Sequence, residues 1–283
     1  MEWTIRKTLS WSKPYLESKG IDSPRLDAEL LLAHALGTKR IDLYLDMERP
    51  LATDELGKYR EYLKRRSLKE PVAYILGAKE FYSRTFHVNS HVLIPRPESE
   101  LLVEQAVALA PAGGKILELG VGSGAVIVSV LAEREDLEGF GSDVNMQTIG
   151  VAKSNACLHG VEKRIQFFVG DGFAPVSAQF PLIIMNPPYI ALSETQELQD
   201  DVLLYEPHSA LFGGNDGLDI IKEIIRNMEK HLTRKGRFIM ETGYRQKETV
   251  NDLIRAAKGL KIHAWIKDLS GTHRLVVVER SYG

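Results

Sequence analysis

The sequence predicts an α/β fold: a mostly parallel sheet covered by helices on both faces, preceded by a small α-helical part. Three observations carry this. From Glu98 onward, short apolar runs of strand length alternate with helical stretches, the pattern of a parallel sheet buried on both sides. The last two runs are separated only by a tight turn, so the last strand should run antiparallel. The chain before Glu80 has helical periodicity and no strand-like run. The expected organisation is a helical unit over 1–78, a β-hairpin linker over 79–95 and a sheet domain over 96–283.

Taken in order, Ser23-Pro24 opens a helix, with Ser in the N-cap position and Pro where its missing N–H costs nothing. Leu26, Leu30 and Ala33 mark its apolar face, and Gly37 supplies a left-handed C-terminal residue. A second helix is expected from about Thr53 to Arg66, with Leu56, Tyr59 and Leu63 on one face. Lys58, Arg65 and Arg66 lie on the other, as a solvated face or a docking surface for a partner. The hairpin is expected to pair 81–88 with 91–94 around Asn89-Ser90, and Pro95-Arg96-Pro97 ends it. Strands are then expected at 115–119, 139–143, 165–169, 182–185 and 237–241, with helices over 98–110, 125–133, 146–159 and 218–231. A closing hairpin joins 262–269 to 274–279.

The 283 residues suffice for one large domain or a medium domain with a small one. A formal net charge of -2 argues against stable gripping of nucleic acid, which favours a basic excess. Cys157 is the single cysteine, so no internal disulfide and no thiolate zinc cluster can form. The start Met1-Glu2-Trp3-Thr4-Ile5-Arg6-Lys7 is too charged for a signal peptide, and no apolar run reaches the roughly 18 residues of a membrane span. The expectation is a soluble protein in the reducing cytoplasm, with no membrane partner.

The chemistry sits at strand ends. The first sheet strand runs into Gly120-Val121-Gly122-Ser123-Gly124 and then a helix, a loop that lets the backbone turn sharply and a ligand approach closely. It lacks the Gly-Lys-Ser/Thr of a phosphate-binding loop, and taken alone it is a weak signal, with a mere tight turn as the lesser alternative. Asp143 ends the next strand roughly 20 residues on, where an open α/β sheet presents an acid to a ribose. Asp171 in Gly170-Asp171-Gly172-Phe173 is placed to reach an adenine edge. Together these describe an adenosine-type pocket.

The fourth strand ends in Asn186-Pro187-Pro188-Tyr189. Two prolines fix the backbone and remove two donors, leaving the carbonyls of Asn186 and Pro187 to face the cleft. The Asn186 amide adds an acceptor and a donor, and Tyr189 offers a flat face. The set suits a planar NH2 group.

That tetrapeptide after such a pocket resembles amino-methyltransferases acting on adenine, guanine or glutamine amide nitrogens. Leu93-Ile94-Pro95-Arg96-Pro97-Glu98-Ser99-Glu100, Tyr205-Glu206-Pro207, Gly213-Gly214-Asn215-Asp216-Gly217-Leu218 and Glu241-Thr242-Gly243 narrow it. Over nearly its whole length the chain is similar to the PrmC/HemK family, the peptide chain release factor glutamine methyltransferases. Three positions depart from that family's usual residues: Glu118 for Asp, Val121 for Thr or Cys, and Ser99 for Thr. The first bears on how the glycine loop is braced.

The resemblance implies a class I S-adenosyl-L-methionine-dependent methyltransferase fold, a Rossmann-like seven-stranded sheet behind a helical substrate-recognition domain. It implies methylation of the Gly-Gly-Gln glutamine of class 1 release factors at its side-chain nitrogen. Cofactor contacts would fall to Gly120, Val121, Gly122, Ser123, Gly124, Asp143, Asp171, Gly172 and Asn186. Substrate contacts would fall to Asn186, Pro187, Pro188 and Tyr189, with Asn186, Pro187 and Tyr189 closest to the chemistry. No covalent intermediate and no metal are expected. The rivals are an adenine-N6 DNA methyltransferase, a ribosomal-protein glutamine methyltransferase, and a binding module that keeps the cofactor fold without activity.

Overall fold

The computed structural model describes residues 2–281; Met1, Tyr282 and Gly283, the outer ends of the expected spans, lie outside them. The chain packs as two units. One holds the residues up to Ala78 together with Gln199–Tyr205, and the other holds Lys79–Leu198 and the chain from Glu206 onward.

In the first unit, α1 (Ile5–Ser18) starts at Thr4, whose hydroxyl accepts the Lys7 N–H. Helix α2 (Pro24–Leu36) has Pro at its start and left-handed Gly37 at its end, but the Ser23 side chain makes no capping bond. Its buried face also differs from the expected one. Of the expected face Ala33 is buried, whereas Leu26 is 40% exposed, and Ala28, Leu31, Leu32 and Ala35 are buried as well. Asp27 and Glu29 are buried on this helix too, so apolar spacing alone could not choose the face.

Helix α3 (Thr53–Ser67) buries Tyr59 and Leu63 as expected, and also Arg66. That arginine, expected on a charged outer face, donates to Asp27 at 2.7 Å, with both side chains only 9% exposed. A charge goes inside only when paired. Burial pushes the Asp27 carboxyl up, and Arg66 opposes that shift. Helix α4 (Val72–Leu76) ends at left-handed Gly77. Gln199–Tyr205 joins this unit through Arg66–Asp201 (3.4 Å), Gln199–Asp22 (3.0 Å) and the Tyr205 hydroxyl on the Leu68 carbonyl (2.8 Å).

The second unit opens with a ribbon of β1 (Ala78–Phe81) and β2 (Arg84–His87). Its turn lies at Tyr82-Ser83, within the run expected to be a single strand, and not at Asn89-Ser90. Both turn residues have positive φ (50° and 56°), as a two-residue hairpin turn requires, without the usual Asn or Gly. The Tyr82 N–H donates to the Glu100 carboxylate at 2.8 Å, which secures the unfavourable backbone.

The chain then runs α5 (Glu100–Leu109), β3 (Lys115–Leu119), α6 (Ala125–Glu133), β4 (Glu138–Asp143), α7 (Met146–Leu158), β5 (Ile165–Val169), β6 (Phe180–Met185), α8 (Asp200–Tyr205), α9 (Asp219–His231), β7 (Leu232–Glu241), α10 (Lys247–Ala256), β8 (Leu260–Lys267) and β9 (His273–Arg280). The seven-stranded sheet has the order β5-β4-β3-β6-β7-β9-β8. The first five strands in that order are parallel, and β9 inserts antiparallel between β7 and β8. Alternate side chains of one strand serve opposite faces. Ile116 and Leu182 pack with α5 and α6 through Leu102 and Ile127, whereas Leu117 and Ile183 pack with α9 and α10 through Ile221 and Val250.

Candidate active site

Strand order reverses between β3 and β6, and a crevice opens there at the carboxyl ends of the strands, where open α/β sheets bind ligands. Gly120, Val121, Gly122 and Ser123 after β3, Asp143 at the end of β4, Asp171-Gly172 after β5 and Asn186 after β6 all line it, with Ser99 and Glu118, whereas Gly124 does not. Residues distant in sequence thus share one cleft because parallel strands end on the same side.

Within the loop, Gly120, Gly122 and Gly124 all have positive φ (68°, 53° and 78°). The Gly122 N–H donates to one Asp143 oxygen (3.2 Å) and the Asn145 N–H to the other (3.1 Å). Each carboxylate oxygen keeps acceptor capacity for a ligand. Burial raises the Asp143 carboxyl above its ordinary range, against those N–H bonds.

Glu118 is 2% exposed and accepts the Ile127 N–H at 3.0 Å in the first turn of α6, so it braces that helix beyond the loop. Desolvation, with a smaller push from the Asp143 charge, raises its carboxyl to about 8. The Val121 side chain is buried beside Ile149, Ala152 and Phe167, and the buried Ser123 gives its carbonyl to Asn155 (2.8 Å). These two serve the loop's own packing. Asp171 is exposed at the cleft, and its turn is tied to β4 by the Gly170 N–H on the Asp143 carbonyl (2.9 Å).

Asn186 differs from expectation in one respect. Its NH2 donates to the Ser99 hydroxyl (3.0 Å), so one of the donor bonds offered to a substrate is already committed. Ser99 donates in turn to Glu241 Oε2 (2.7 Å), and the Tyr189 hydroxyl donates to Glu241 Oε1 (3.2 Å). Glu241 is 1% exposed, and its burial raises the carboxyl. Within the tetrapeptide, Asn186 and Pro188 line the cleft, whereas Pro187 and Tyr189 are not among the lining residues. Pro187 is buried, and Tyr189 packs against the core on the α9 and α10 side with its hydroxyl anchored. A Tyr189 ring lying flat against a bound amide is therefore not what this arrangement presents.

The other motifs support this turn. The buried Glu206 accepts the Ile94 N–H (3.1 Å) and pairs with Arg96 (2.5 Å), which joins two separate motifs. Gln246 donates to the Tyr189 and Gly217 carbonyls (2.9 and 3.1 Å). A Cβ on Gly217 would stand 2.3 Å from the Tyr189 carbonyl oxygen, so only glycine lets the two loops meet. Sequence reasoning held Ser99 and Glu241 only as motif members, and Gln246 carried no signal. Among the described residues, no group of three or more His, Cys, Asp or Glu side chains is placed to hold a metal ion, and no helix is long and apolar enough to cross a membrane.

The sheet order and this strand-end cleft define a class I methyltransferase fold. A methyltransferase structure from Pyrococcus furiosus superposes with a TM-score of 0.53 at 16% identity, over 71% of this chain and 91% of that one. Residues 7–77 match the PrmC N-terminal domain family and residues 96–214 the methyltransferase small domain family. The release factor glutamine methyltransferase of Geobacter sulfurreducens is 41% identical over 88% of this chain and 87% of its own length. That of Leptospira interrogans is 40% identical over 98% of each. The chain belongs to the family of release factor glutamine methyltransferases.

Proposed function

We propose that the chain transfers a methyl group from S-adenosyl-L-methionine to the side-chain amide nitrogen of the Gly-Gly-Gln glutamine in class 1 peptide chain release factors. The observation that carries this is the Asn186 amide, held by Ser99 at the cleft that Asp143 and the glycine loop also line. Family membership supports it. The residues present fit the cofactor: Gly120 and Gly122 leave open space for close approach, Asp143 has free acceptor capacity for two ribose hydroxyls, and Asp171-Gly172 lines the same cleft, where an adenine would lie. When bound, the cofactor supplies a methyl group already activated on a sulfonium.

The chain's own task is alignment. An amide nitrogen is a poor nucleophile because its lone pair is delocalised into the carbonyl. An acceptor on its N–H bonds, Asn186 Oδ1, localises charge on nitrogen and stabilises the positive charge it gains. Orientation of this kind supplies roughly 7–11 kcal/mol in favourable cases. Methyl transfer first gives an N-protonated, N-methylated amide cation, which is strongly acidic and loses one proton to water to give the neutral product, so no strong base is required. In this reading the helical unit recognises the release factor, a role suited to its exposed Trp11, Ile41 and Leu45. Stable nucleic-acid binding is not part of the proposal, in keeping with the net charge of -2.

The test offers methyl-labelled cofactor with a purified class 1 release factor, ribosomal proteins or adenine-containing DNA. Label is expected in the release factor and lost when its Gly-Gly-Gln glutamine is replaced. Label in DNA or a ribosomal protein alone would overturn the assignment.

A further inference from the structure

Ser99 and Glu241 lie outside the groups assigned to hold the amide, yet Ser99 contacts the Asn186 amide directly, and Glu241 links Ser99 to Tyr189, so three elements are tied together behind Asn186. Ser99 precedes α5, Glu241 ends β7, and Tyr189 closes the turn after β6. Ser99 is 4% and Glu241 1% exposed, so neither is a surface polar group satisfied by chance. We infer that Ser99 and Glu241 are positioning residues that select the flip of the Asn186 amide, turning Oδ1 towards the substrate. This rests on the proposed glutamine-holding role of Asn186.

The chemistry is directional. The two flips of an asparagine amide have nearly the same shape and differ only in which end donates. Ser99 has one hydroxyl proton, and it goes to Glu241 Oε2 at 2.7 Å. Its oxygen then faces Asn186 with lone pairs only, so the group 3.0 Å away must be the NH2 end. The opposite flip would set two acceptors against each other and turn a donor to the place where a substrate NH2 has to be accepted. Glu241 fills this role because it has two acceptor oxygens. The second takes the Tyr189 hydroxyl (3.2 Å), so one buried carboxylate orients Asn186 and anchors the end of the same turn. A glutamine at 241 would offer one acceptor and one donor, and could not serve both hydroxyls in this sense.

The experiment compares the full chain with Ser99→Ala, Ser99→Thr and Glu241→Gln. It reads turnover on release factor, cofactor affinity, melting temperature and the Asn186 side-chain NH2 signals in nitrogen-labelled protein, identified by their loss in Asn186→Ala. Ser99→Ala and Glu241→Gln should lower kcat about tenfold to a hundredfold, towards the scale of one lost preorganised contact, with cofactor affinity within about twofold of the parent. Ser99→Thr, which keeps the hydroxyl, should restore kcat. The Asn186 NH2 signals should shift in Ser99→Ala and Glu241→Gln and hold in Ser99→Thr. Full turnover and unmoved signals in both disrupting variants overturn the inference. So do losses of kcat, affinity and melting temperature in parallel that Ser99→Thr leaves uncorrected, since these mark structural support alone. If the parent methylates no release factor, the functional reading fails on its own. The NH2 signals then decide this inference: movement on Ser99→Ala upholds the relay, and no movement rejects it.

Discussion

At the scale of single residues, the proposed function gives catalysis to Asn186 and cofactor binding to Asp143. Asn186→Asp keeps one acceptor oxygen but replaces the NH2 that reaches Ser99, and it adds a negative charge at the cleft proposed to hold the sulfonium. Cofactor affinity should be equal or better through simple attraction, while turnover falls about a hundredfold or more. Asn186→Ala should lose turnover without any gain in affinity. Full turnover in either well-folded variant would remove Asn186 from the reaction. For Asp143→Ala, calorimetry should show cofactor binding weaker by roughly 1–3 kcal/mol, the scale of a lost charge-assisted bond. An unchanged affinity would place Asp143 outside the binding site.

At the scale of elements, the junction of β3 with α6 carries a buried acid that leaves a mark on stability. The Glu118 carboxyl is raised from 4.5 to about 8. The folded protein therefore holds a proton that the unfolded chain releases. The associated stability is fully present below about pH 4.5 and is lost as pH rises towards 8. Urea midpoints across that range should fall for the parent relative to Glu118→Gln, by the equivalent of a few kcal/mol in total, at about 1.4 kcal/mol for each tenfold change in proton affinity. Parallel pH curves for the two proteins would show that Glu118 is ionised in the folded state. Elements also set what the sequence could reveal. Strands β3 and β5 are read to the residue because each is a short, mostly apolar run bounded by turns. The β1–β2 turn was hidden because Tyr82-Ser83 takes a left-handed path without Gly or Asn. Helix α10 was open to reading by periodicity, since its Val250, Leu253 and Ile254 stand at helical spacing. In the site, the strand-end groups were legible from local pattern. The Ser99–Glu241 bond was not, because it joins residues 142 apart in the chain.

At the scale of the whole molecule, the helical unit is the part proposed to select the substrate. Trimming residues 1–78 is a poor test, because Gln199–Tyr205 would lose its partners Asp22, Arg66 and Leu68. Substitution at the exposed surface avoids that. Trp11→Ala combined with Leu45→Ala should raise KM for release factor about tenfold, the effect of losing modest apolar anchors, and leave cofactor affinity unchanged. An unaltered KM would mean that this surface makes no contact. The most direct measurement of the central claim maps the transferred methyl by tandem mass spectrometry, on release factor incubated with the full chain and S-adenosyl-L-methionine. The account predicts one methyl group on the side-chain nitrogen of the Gly-Gly-Gln glutamine, absent with Asn186→Ala. A methyl on any other residue, or none on a release factor that the folded, cofactor-binding protein has been given time to modify, would contradict it.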